Sequence, residues 1–190
     1  MTDGQLMKAV AGQDPYAVRL LLDRYEHRVL KFLLGSVGNP EDAMDITQEV
    51  MTRVCQKASL YNGTAPLSAW IFRIARNLYL DSRRRRNFKV HSESVEFSDS
   101  LENSIQVKAP SPEQILLRKE TFTRISKAIA CLSARQQEVV RLRLLGELSL
   151  DEIADTVGLS SGGVKSTLHN ALKNLRARLC DLERNQYVEV

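Results

Sequence analysis

The chain has 190 residues, 43% apolar and 26% charged, with a formal net charge of +4. That balance excludes a chain disordered throughout and predicts one or two globular domains. No apolar run approaches the roughly 20 residues that span a bilayer, and MTDGQLMKAV lacks a basic region followed by an apolar core, so a cytoplasmic protein without membrane insertion is expected. Cys55, Cys131 and Cys180 are scattered, as are His27, His91 and His169, and none stands at metal-ligand spacing. The cysteines read as small apolar fillers, and neither a metal nor a cofactor is expected.

In the first half, Leu20, Leu21, Tyr25, Val29, Phe32 and Leu33 recur at three- and four-residue steps, predicting a helix with one buried face. Asn39-Pro40-Glu41-Asp42 opens the next helix with a cap, a proline at the first turn and carboxylates at the positive end of the dipole. Its apolar stripe is Ala43, Ile46, Val50 and Val54, so Asp45, Gln48 and Glu49 project together from another face, either solvated or a docking surface. A third helix starts near Leu67, with Trp70, Ile71, Ile74 and Leu78 inside and Arg73, Arg76 and Asn77 outside.

Charge is segregated along the chain. Tyr61 to Ser92 holds seven basic residues and one acid, net +6, including Arg83, Arg84, Arg85 and Arg86 in a row. Glu93 to Glu113 is acidic, net −4, and Gly162 to Cys180 carries four cations and no acid. Two separate basic blocks suggest a polyanion held at two points. The acidic stretch, within the Ser- and Asn-rich residues 87–112 that end on Pro-Ser-Pro, lacks helical periodicity and reads as a flexible linker. The expected organisation is a first domain over 1–88, a linker over 89–112 and a second domain over 113–190. Bodies this small are marginal alone and are expected to be steadied by a partner.

In the second half, Ser133 to Gln136 and Ser149 to Glu152 both fit capping boxes followed by apolar periodicity. No segment alternates as a strand would, so the fold class is all-α.

The stretch VGLSSGGVKS, from Val157 to Ser166, admits two readings. A phosphate-cradling loop needs G-x-x-x-x-G-K-[ST] leaving a strand, but Val164 holds the lysine position and the preceding LSLDEIADTV is a capped amphipathic helix. A helix-turn-helix fits better. Ala154 is small at the crossing, Gly158 supplies a positive φ at the turn, and Val164 points back between the helices, with Ile153, Val157, Leu159 and Leu168 as further contacts. Ser160 would cap the second helix, and Ser161, Gly162, Gly163, Lys165, Ser166, Thr167, His169 and Asn170 would face a major groove and its phosphates. Lys173 and Arg176 continue the basic helix toward backbone phosphates. The two glycines weaken a helix, so close approach of its bare N–H groups to a phosphate is the expected compensation.

The block LSARQQEVVRLRLLGELSLDEIADTVGLSSGGVKSTLHNALKNLRARL resembles the promoter-reading C-terminal domain of extracytoplasmic-function (ECF) sigma factors, and by itself also the DNA-binding domain of response regulators. DAMDITQEVMTRV and PLSAWIFRIARNLYLDSRRRR decide, since they resemble the family's core-polymerase-docking helix and the next helix, which engages the downstream promoter element. The resemblance implies a non-enzymatic sigma factor whose partners are core RNA polymerase, promoter DNA and an anti-sigma factor, often membrane-anchored. It places Asp45, Gln48 and Glu49 on the polymerase surface. It gives the opened downstream strand to the loop Tyr61, Asn62, Gly63 and Thr64 up to Pro66, with Trp70, Arg73, Arg76 and Asn77. Core packing is the competing role for Trp70, and Arg83 to Arg86 read as phosphate contacts. The linker is implied to enter the polymerase channel. Where the family commonly has glutamate, threonine and two arginines, this chain has Ser161, Gly163, Thr167 and Asn170, implying an altered upstream element. The alternative is a helix-turn-helix regulator that acts without joining polymerase.

Overall fold

The computed structural model describes residues 1–87 and 128–186, with the side chains of 86–87 and 179–186 excluded. The predicted linker, 89–112, therefore lies outside the described residues, as does His91, and the side chains of Arg86 and Cys180 do also.

All regular elements among the described residues are helical. The first half comprises α1 (Asp3–Ala11), α2 (Pro15–Val37), α3 (Pro40–Gln56), a 3-10 turn (Ala58–Leu60) and α4 (Leu67–Asn87). The second comprises a helical turn at 128–130, then α5 (Ala134–Leu144), α6 (Leu150–Val157) and α7 (Ser161–Gln186).

Local chemistry sets the ends of these helices. Asn39 Oδ1 accepts from the Asp42 N–H at 3.2 Å with Pro40 in the first turn. Asp14 does the same for α2 ahead of Pro15, and α2 stops where Gly38 takes φ 80° and donates to the Leu34 carbonyl. Both predicted capping boxes form: Ser133 with Gln136, and Ser149 with Glu152. A third, Thr2 with Gln5, starts α1, which buries Leu6, Met7 and Val10. The T-x-x-Q signature was there to be read, but α1 is short and its apolar residues too few to announce a periodic face.

The predicted inner faces are buried. Leu21, Tyr25, Val29, Phe32 and Leu33 of α2 meet Ala43, Val50 and Val54 of α3 and Ile71 and Leu78 of α4, while Leu20, Ile46, Trp70 and Ile74 lie at the margin. Phe32 and Phe72 pack edge to face, centroids 5.6 Å apart.

The halves do not pack separately. Val139, Leu142, Leu148, Ile153, Ala154, Val157 and Val164 of the second half join the same apolar cluster as the first-half core. A smaller cluster, Ala128, Leu132, Val140, Ala171 and Leu175, holds α7 across α5. Each half thus packs apolar surface against the other.

Candidate nucleic-acid interface

The α6–α7 turn has the geometry a helix-turn-helix requires. Gly158 takes φ 71° and donates to the Ala154 carbonyl at 2.9 Å, and the Leu159 N–H donates there at 3.1 Å. Ser160 Oγ accepts from the Gly163 N–H at 3.1 Å as the cap of α7. Val164 is fully buried in the angle between the helices and Ala154 is buried at their crossing.

That packing fixes which residues α7 presents. Ser160, Ser161, Gly162, Lys165, Ser166, His169, Asn170, Lys173 and Arg176 are exposed, and Gly163 and Thr167 are half-buried. Thr167 Oγ1 donates to the Gly163 carbonyl at 2.8 Å, and Ser161 Oγ donates to Asp151 Oδ1 on α6, so these two hydroxyls already have intramolecular acceptors. A Cβ at Gly162 would meet nothing within 4 Å, whereas one at Gly163 would come 3.3 Å from the capping Ser160 Oγ. Space for a close external approach therefore exists at Gly162.

On α3, burial of Ala43, Thr47, Val50 and Val54 leaves Asp45, Gln48 and Glu49 exposed on the opposite side. Glu49 pairs with Arg53 at 2.6 Å, a surface i,i+4 pair worth only about 0.3–0.5 kcal/mol. Met44 is 52% exposed beside Asp45. The sequence pattern had a trace of it, since position 44 falls off the Ala43, Ile46 and Val50 stripe.

The loop before α4 is folded on itself. Asn62 Oδ1 accepts from the Thr64 N–H at 3.1 Å and from Thr64 Oγ1 at 2.8 Å, while Gly63 takes φ 75°. Tyr61 Oη donates to the Ala65 carbonyl at 2.9 Å, and its ring meets Trp70 edge-on at 5.6 Å. Burial, then the nearby Asp3 carboxylate, raises the Tyr61 pKa. Trp70 is half-buried against the core, so packing engages one part of the indole and leaves another accessible.

Along α4 the arginines are not equivalent. Asn77, Arg83, Arg84 and Arg85 are exposed. Arg73 donates to the Asp155 carbonyl of α6, and Arg76 forms a half-buried ion pair with Glu138 of α5. A cleft of about 340 Å³ between α4 and α5 is lined by Arg76, Tyr79, Arg83, Arg135, Glu138 and Arg141 among others. Burial lowers the Arg141 pKa and the like charge of Arg83 adds to this, while Tyr79 opposes it through its charge and a hydrogen bond. Among the described residues no cluster of His, Cys, Asp or Glu could hold a metal ion, and no helix is long and apolar enough to cross a membrane.

The family described as Sigma-70 region 2 matches residues 21–89 and that described as Sigma-70, region 4 matches 128–177, together more than half the chain. The ECF RNA polymerase sigma factor SigL of Mycobacterium tuberculosis is 29% identical over 93% of this chain and 96% of its own length. SigW of Bacillus subtilis is 28% identical with the same coverage of both chains. Among solved structures, CnrH in complex with the cytosolic domain of CnrY aligns with a TM-score of 0.70 at 19% identity, over 94% of this chain and 97% of CnrH. RpoE in complex with the anti-sigma factor NepR from Bartonella quintana aligns at 0.65 and 22% identity, over 85% of this chain and 95% of RpoE; both likenesses concern the fold. With regions 2 and 4 in order, an all-helical fold among the described residues and relatives aligned over 93% of this chain and 96% of their own length, the chain belongs to the ECF sigma factors, which are transcription initiation factors and not enzymes.

Proposed function

We propose that this protein is an alternative sigma factor that joins core RNA polymerase in the cytoplasm and directs initiation at its own set of promoters, under the control of an anti-sigma factor. The observation that carries this reading is the pairing, on one chain, of region 2 and region 4 in the family's order.

Asp45, Gln48 and Glu49 on the exposed side of α3 dock on polymerase. The exposed face of α7, from Ser160 to Asn170 with Lys173 and Arg176, enters the upstream duplex, its cations neutralising phosphates. The Tyr61 to Pro66 loop with Trp70, Arg73, Arg76 and Asn77 holds the opened downstream strand, where a flipped base is read by its edges and the arginines neutralise the backbone. Arg83 to Arg86 add phosphate contacts. The working domains are 1–88 and 113–190, with 89–112 between them. Asn170 suits adenine, each good pair giving about 1–3 kcal/mol of discrimination, so an upstream element richer in A·T follows. Anti-sigma control is supported by the fold shared with RpoE, whose structure contains an anti-sigma factor.

The test is transcription of a fragmented genomic library by bacterial core polymerase with and without the protein, and with an Asp45→Ala, Gln48→Ala, Glu49→Ala variant. Discrete starts that need the protein and weaken in the variant are expected. No new starts, despite specific duplex binding by the protein alone, would assign it instead to regulators that work without joining polymerase.

A further inference from the structure

Part of the α4 face assigned above to the opened strand is already in use within the chain. Arg76 pairs with Glu138 of α5, Arg73 donates to the Asp155 carbonyl, and Ser68 donates to Glu152 of α6. From α2, Arg28 donates to the Gly146 carbonyl from Nε at 3.1 Å and from Nη2 at 2.8 Å, and Lys31 lies 3.5 Å from Glu147. The same Arg28 guanidinium sits over the Tyr25 and Phe72 rings. Beneath these polar contacts runs the shared apolar cluster.

Two glycines show that the seam is built into the sequence. Gly35 lies inside α2, where glycine weakens a helix, and a Cβ there would collide with the Leu145 side chain of the second half. At Gly146 a Cβ would come 2.8 Å from the Phe72 ring across the seam and equally 2.8 Å from the Leu142 carbonyl of its own half. Each half is notched where the other approaches.

Building on the sigma-factor reading, we propose that this seam is a self-masking closure, in which the second half occupies Arg73 and Arg76 and withholds them from the downstream strand until the halves part. Glu138 takes the place at Arg76 that a strand phosphate needs, because one guanidinium cannot serve both at full strength. The closure is selective. Asp45, Gln48 and Glu49 remain exposed, and so does the face of α7 from Lys165 to Arg176. Closed protein can therefore meet polymerase and upstream duplex while Arg73 and Arg76 are held by the second half. Any partner that binds the separated halves better than the closed pair unmasks it, and apparent strand affinity scales with the open fraction.

The test uses the full chain and two independent variants. Gly35→Gln thrusts a side chain into Leu145 without changing charge, and Glu138→Gln removes the partner of Arg76; Glu26→Gln, exposed on α2, controls for the loss of one negative charge. Small-angle scattering reads separation of the halves, circular dichroism reads helicity, and fluorescence anisotropy reads binding of a short random-sequence single strand and, separately, a random-sequence duplex. Both variants are expected to expand with helicity retained and to bind the single strand about tenfold more tightly, as for a roughly tenfold rise in open fraction, with duplex binding matching the charge control. Expansion without tighter strand binding overturns the masking, and wild-type compactness in both variants overturns the closure. Should Gly35→Gln lose helicity, Glu138→Gln decides alone. Core-polymerase transcription is scored separately: tighter strand binding without promoter-specific starts keeps the closure and refutes the sigma reading, and the reverse pattern refutes only the closure.

Discussion

Three glycines around the α6–α7 turn should respond to the same Ala substitution in three different ways. Gly162 meets open space on the first turn of α7, so Gly162→Ala gains the helix preference of alanine, about 0.5–1 kcal/mol at most, with no steric offset. In a protein of this size that corresponds to a rise in Tm of up to about 2–4 °C. Gly163→Ala places its methyl 3.3 Å from the Ser160 capping oxygen, so the gain is offset and little change is expected. Gly158 holds φ 71°, and an alanine there pays the left-handed penalty of about 1–2 kcal/mol, lowering Tm. Thermal and urea unfolding of the three variants, followed by circular dichroism, read the order directly. If a phosphate seats on the bare end of α7, Gly162→Ala also weakens duplex binding while raising stability. A Gly158→Ala protein as stable as the parent would refute the turn geometry, and Gly162→Ala with unaltered duplex affinity would refute the phosphate seat.

Further outcomes follow from single side chains. Ser149→Ala removes one side of a capping box and should cost about 1 kcal/mol in urea unfolding. Burial pushes the Glu152 pKa up, but hydrogen bonds from Ser68 and Ser149 and the Arg28 charge outweigh it and hold the carboxyl below its ordinary 4.5. A depressed carboxyl stabilises the fold above its unfolded pKa and loses that contribution as pH falls through the folded one, so stability should decline below about pH 4.5, and less steeply in Glu152→Gln; equal slopes in the two proteins would count against it. Leu142→Ala empties a fully buried site in the shared cluster and should cost about 2–5 kcal/mol. Replacing Lys173 and Arg176 by Gln should flatten the salt dependence of duplex binding by about two counterions.

Local elements were legible because their determinants are local. The Asn39-Pro40 entry, the boxes at Ser133 and Ser149, the left-handed Gly158 and the buried Val164 each depend on a few adjacent residues. Arg73 and Arg76 show the limit. Periodicity placed them on the outer face of α4, and the partners that engage them, Asp155 and Glu138, lie 82 and 62 residues away. Nothing in helical periodicity encodes such a pairing. Phe72 and Gly35 carry the same lesson, since a bulky residue and a helical glycine make sense only once Gly146 and Leu145 are placed against them. The loop hydrogen bonds of Asn62 and Thr64 could have been read from an Asx-turn signature.

The shared apolar cluster also bears on how the chain behaves in company. Forty residues separate Asn87 from Ala128, and the surface that one chain's second half covers is identical in every other copy. When the halves part, Leu142, Leu148 and Ile153 lose their cover on the first half, and so do the first-half residues they packed against. Covalent attachment favours each chain's own second half in dilute solution, whereas crowded expression favours exchange between copies and domain-swapped dimers. Solubility at high concentration is then governed by the same seam, and substitutions that loosen it will be recovered as interlocked pairs or aggregates before they are recovered as unfolded monomers.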